Sequence, residues 1–202
     1  RTLGRDLSIL GTVIGTALLC AMGFFLYFEF IATDVCEGRN FVLVYSQLEW
    51  RKEESASDTE ALISRDNSVY FNLDFNAFED RSMNIYNHQE AKELSFSTEN
   101  DRQDNYDLFL VSYFNFLGKE RILESASDLM PVEGNSDLYY AYVDLTEESD
   151  GKRNGTLQYF LLSVSEETFW TFQVSLYDTE KSITEVDALV EDVLSTMTIK
   201  AE

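Results

Sequence analysis

The chain has 202 residues, 45% hydrophobic and 26% charged, a balance found in folded proteins and sufficient to bury one core without disulfide staples. With 15 Lys and Arg against 37 Asp and Glu the formal net charge is −22, which argues against nucleic acid and anionic lipid as ligands. A basic protein surface or a cation atmosphere suits that charge, as does the plainer role of a solvated surface that keeps the domain dissolved.

The chain begins with an apolar run. Residues 9–28, ILGTVIGTALLCAMGFFLYF, carry no charge, and at about 1.5 Å per residue they match a hydrocarbon core of about 30 Å. The sequence therefore predicts a transmembrane helix over 9–33, after a short cytoplasmic segment at 1–8 and before an acidic extracytoplasmic domain at 34–202. Arg1 and Arg5 precede the run and Glu29, Asp34 and Glu37 follow it, so the positive-inside rule puts the N-terminus in the cytoplasm of a single-pass cell-membrane protein. A cleaved signal peptide is the alternative, but the run is long for one. Neither Leu19 before Cys20 nor Val35 before Cys36 is the small residue of a lipoprotein cleavage site. Those two cysteines lie too far apart along a helix to bridge.

Gly11, Gly15 and Gly23 fall at four-residue intervals with Leu19 between them, leaving a shallow groove for a second helix. They are the candidate helix-packing residues, with other membrane subunits as partners and the lipid bilayer as surroundings. Glycine is also simply common in membrane helices, which is the competing account.

Beyond the run, β-branched and aromatic residues predict strands at 41–45, 69–75, 138–145, 157–164 and 169–177. Residues 101–117 read as a helix with acceptors Asn100, Asp101 and Asp104 at its start, although LFLVSYFNF also suits a buried strand. The polar stretch TEESDGKRNG reads as a long hairpin loop, and SEET as a tight turn that continues three antiparallel strands. In SITEVDALVEDVLSTM the apolar residues Ile183, Val186, Val190, Val193, Leu194 and Met197 share one helical face, and Ser182 with Glu185 forms a capping box.

Chemistry-bearing patterns are sparse. His88 is the one histidine, which removes histidine metal sites and triads unless another chain contributes. There is no GxSxG elbow, GxGxxG, Walker loop or CxxC pair, and carboxylates are too abundant to single out a glycosidase pair. Oxygen ligands cluster at 99–107 and at Glu147, Glu148 and Asp150, yet neither has EF-hand spacing, and helix capping or solvated turns account for them. Asn154-Gly155-Thr156 matches a glycosylation sequon. No catalytic residue, cofactor or metal ligand is assigned, and the chain is expected not to be an enzyme.

The second half resembles the PsbP-like family in the order of its elements: Gly134-Asn135, the strand LYYAYVDL, a polar hairpin, the strands LQYFLLSV and FWTFQVSLY, and a helix ending VEDVLSTMTI. Trp50 after FVLVY, and the later VYFNLDF, fit the same layout more loosely. The resemblance implies an α+β fold, with an antiparallel sheet flanked by helices behind the transmembrane helix, in a family whose members act chiefly as binding or assembly factors. Fold alone does not settle function. The expected role is a non-enzymatic accessory or assembly subunit of a membrane protein complex. The alternative is a stand-alone, membrane-tethered binding or sensor domain.

Overall fold

Period-two alternation decides most of this molecule. A computed structural model describes residues 3–30, 32–38, 40–54, 60–73, 76–77, 96–117 and 125–200. Among them strand outweighs helix, 48% against 31%, in two sheets. A small antiparallel sheet has the order β1-β2-β11, from β1 (Thr33–Glu37), β2 (Phe41–Ser46) and β11 (Thr198–Ile199). A large sheet runs β3-β4-β5-β10-β9-β8-β7, with β6 (Asn76–Ala77) also on β10. Its strands are β3 (Trp50–Glu54), β4 (Glu60–Ser64), β5 (Val69–Asn72), β7 (Met130–Val132), β8 (Asn135–Ser149), β9 (Lys152–Ser163) and β10 (Thr168–Thr179).

The expected fold needs correction on two points. Two sheets replace the single one, and no helix among the described residues is long and apolar enough to cross a membrane. Helix α1 spans Leu3–Phe30. The transmembrane helix, the single-pass topology and the cell-membrane localisation with its cytoplasmic and extracytoplasmic parts are therefore not supported. Residue 33, placed in that helix by the sequence, is already in β1.

The polar stretch 146–155 is likewise not a loop. Strands β8 and β9 pair without interruption from Leu138↔Ser163 out to Ser149↔Lys152 and turn on Asp150-Gly151 alone. Both turn residues have positive φ, 54° and 73°, the left-handed pair that matches strand twist in a two-residue hairpin. The ladder outruns the apolar core, so its outer rungs are polar and Arg153 ties them by pairing with Asp144 at 3.3 Å and Glu148 at 2.9 Å.

Both faces of the large sheet are covered. On one side, Phe41, Leu43 and Tyr45 of the small sheet and Val186, Val190, Val193 and Leu194 of helix α3 (Ile183–Ser195) close over the sheet. The capping box that starts α3 is present: Ser182 Oγ accepts from Glu185 N at 3.3 Å, and Glu185 Oε2 accepts from Ser182 N at 2.8 Å. Its C-terminal end is held by Asn135, whose amide donates to Met197 O at 2.8 Å. On the other side, helix α2 (Glu99–Leu117) lays Tyr106, Phe109, Leu110 and Phe114 on Phe160 and Phe169. Helix, not buried strand, is thus the outcome for LFLVSYFNF. The two layers make this sheet buried on both faces at its centre, which is why β9 is buried without a break from Leu157 to Ser163, with Gln158 the polar residue among its apolar ones.

Candidate interaction surface

Helix α1 stands apart from this packing. Nine large apolar side chains between Val13 and Tyr27 are exposed, including Leu18 at 65%, Leu19 at 68% and Phe24 at 68%. At about 100° per residue, Ile14, Leu18, Leu19, Phe24 and Tyr27 project all round the axis, so no single face turns toward the domain. The helix is tied at its base: Ala32 N donates to Tyr27 O at 2.9 Å, and Gln47 N donates to Ala32 O at 2.6 Å. That junction brings the β2–β3 turn to the foot of α1, where exposed Leu48 and, on β1, exposed Val35 extend the apolar surface.

Gly15 and Gly23, two of the candidate packing residues, open onto empty space: a Cβ at either meets nothing within 4 Å. The structure therefore leaves close approach to them unblocked and brings neither against another part of the chain. The surroundings of Gly11 lie outside the described residues, as does His88. Cys20 on this helix is exposed and free. Cys36 is buried, its thiol donating to Glu60 Oε2 at 3.3 Å, and burial pushes it up to about 12, so it is an inert thiol at neutral pH.

The acidic clusters serve local structure. Asp101 caps α2 through Thr98 N at 3.2 Å while its own N–H donates to Thr98 Oγ1 at 3.1 Å. Asp66 gathers Ser64, Ser68 and Lys181, hydrogen bonds that hold it well below the usual carboxylate range against its burial. Asn154 of the sequon sits in β9, with its Oδ1 accepting from Asp178 N at 2.7 Å. Among the described residues no group of three His, Cys, Asp or Glu could hold a metal ion.

One polar constellation was invisible in the sequence. Asp187 of α3 faces the sheet and accepts from Tyr140 Oη at 3.1 Å and Tyr159 Oη at 3.0 Å. Burial raises its carboxyl above the ordinary value, and the two phenols work against that rise. Burial, then the Asp187 charge, pushes both phenols up, so they remain protonated donors. Tyr159 stacks on Phe172 at 4.9 Å and Phe172 on Phe71 at 4.9 Å, so the bond to Asp187 ends an aromatic row that crosses the sheet. This is a fastening for α3 within a closed core.

The chain matches no family model, and no curated protein is similar to it.

Proposed function

We propose that this protein is a non-enzymatic accessory or assembly subunit of a larger protein complex, joined to its partners through α1. The observation that carries the reading is the exposure of apolar side chains round the whole of 12–27. Scattered exposed apolar residues need no explanation, but a helix that is apolar on every side is stable in water only when other surfaces enclose it. A net charge of −22 on the chain makes a partner with a basic surface beside its apolar groove the complementary one. The resemblance of the sequence to the PsbP-like family, whose members act chiefly as binding or assembly factors, is in keeping with this reading.

A photo-crosslinker placed at Leu19 of the full chain tests it. The expected result is capture of one defined protein at fixed stoichiometry, lost when Leu18 and Phe25 are replaced by Ser. Attachment to phosphatidylcholine vesicles without any protein crosslink, or a monomer with no crosslink at all, would overturn the assignment.

A further inference from the structure

Apart from α1, the least conventional group in the molecule is Arg102. In a chain with 37 acidic residues, most other cations whose side chains are described find carboxylates: Arg51, Lys52, Lys152, Arg153, Lys181 and Lys200 do, while Arg65 donates to the carbonyl of Gln47. Arg102 pairs with none among the described residues. Its guanidinium lies over the ring of Tyr139, 4.4 Å from the centroid, and Nη1 donates to Phe96 O at 2.9 Å and Ser97 O at 3.3 Å. Nε is enclosed, whereas Nη2 is neither enclosed nor hydrogen-bonded. The group is thus clamped on one edge and one face, with a single donor edge left open.

That residue borders a cavity of about 350 Å³ between the first turns of α2 and the sheet, lined also by Glu99, Gln103, Asp128, Leu129 and Tyr139. The volume lies at the small end of ligand pockets. Its walls are fixed: Gln103 Oε1 accepts from Leu129 N at 3.1 Å while Gln103 Nε2 donates to Asp107 at 2.8 Å. Glu99 and Arg102 are three residues apart on one helix, so an acid and a base border the cavity from neighbouring positions without bonding each other.

We infer that this cavity binds a small zwitterion, a free α-amino acid, with its carboxylate on the open edge of Arg102 and its ammonium toward Glu99 and Asp128. A lone anion is disfavoured by the two lining carboxylates and by the net charge of −22, and a lone cation by the guanidinium. A ligand carrying both charges a few ångströms apart satisfies both. The planar guanidinium, preorganised on Tyr139, is suited to a carboxylate.

Calorimetric titration of the full chain with glycine, L-alanine, L-serine and L-leucine, alongside methylamine and acetate as half-ligands, is the test. The expected result is heat from at least one amino acid and none from either half-ligand at equal concentration. Arg102→Gln should weaken the binding about tenfold or more, and so should Asp128→Asn, whose exposed side chain makes it safe for folding. Acetate binding as well as the amino acids reduces the cavity to an anion site and overturns the inference. So does silence across the whole panel at about 10 mM, or binding that survives Asp128→Asn and a folded Arg102→Gln unchanged.

Discussion

Helices α1 and α3 are both rich in aliphatic residues, and they end in opposite situations. In α3 the apolar residues fall on one side, where Val186, Val190, Val193 and Leu194 are buried, while the acidic Glu185 and Asp192 are exposed on the other and Asp187 reaches the sheet. In α1 the apolar residues fall on every side and the described ones are mostly exposed. Burial within one chain follows from a stripe, not from total apolarity, because a sheet can cover only one side of a helix. Among the described residues nothing covers the apolar sides of α1, and the proposed partner is what would enclose them.

The largest effects belong to the striped helix. Leu194→Ala removes a fully buried side chain between the two sheets and should cost about 2–5 kcal/mol, read from the urea midpoint. Val190→Asp should cost more, because it buries an unpaired carboxylate at a position with no exposure. Leu18→Ala, at 65% exposure on α1, should stay within about 0.5 kcal/mol. Equal losses in the two helices would erase the contrast.

Next in size is the bond that fastens α3 to the sheet. Tyr159→Phe leaves a half-buried carboxylate short of one donor and should cost about 1–3 kcal/mol at neutral pH. The pH dependence has a definite sign. Asp187 is held above its ordinary value of 3.8, chiefly by burial, so the folded state takes up its proton more readily than the unfolded chain. Its contribution is complete below pH 3.8 and declines as the pH rises through the raised folded value. Urea titrations at a series of pH values should show this decline in the parent chain, shifted upward in Tyr159→Phe and missing from Asp187→Asn. A parent profile that rises with pH relative to Asp187→Asn would reverse the assignment of burial as the dominant cause.

The capping box is a smaller contribution. Ser182→Ala removes the acceptor for Glu185 N and should cost about 1 kcal/mol in thermal or urea unfolding.

These elements differ in how far the sequence announced them. Helix α3 was legible through its period and its Ser182–Glu185 box, and β8, β9 and β10 through aromatic alternation separated by short turns. Strands such as β3, with Arg51, Lys52 and Glu53 after a buried Trp50, were not, since an edge strand needs only one anchor and its charges read as loop. The outer rungs of the β8–β9 hairpin were missed for a related reason: a polar ladder held by Arg153 carries no apolar signal. Side-chain pairs are harder still. Asp187 meets Tyr159 across 28 positions and Tyr140 across 47, and Arg102 meets Tyr139 only because α2 folds back on the sheet. Apolarity of 12–27 was plain, but a long uncharged run does not by itself say what encloses it. The spanning helix inferred from the run 9–28 is not borne out, since no helix among the described residues is long and apolar enough to cross a membrane.

The smallest expected effect on stability is also the sharpest probe of α1. A side chain at Gly15 or Gly23 meets nothing within 4 Å, so Gly15→Leu and Gly23→Leu create no clash inside the chain. Glycine is among the poorest residues for a helix interior and leucine among the best, so each change should stabilise α1 by up to about 1 kcal/mol, visible as a slight gain in helical circular dichroism. If these glycines mark where a partner helix approaches, the same leucines hold the two backbones apart, and assembly should weaken while the isolated chain becomes more helical. Opposite signs in the two measurements separate an interaction role from a folding role, because a residue important only for folding moves both in one direction. Assembly unchanged by the double substitution would leave the exposed leucines and phenylalanines of α1 as its binding surface and remove the glycines from it.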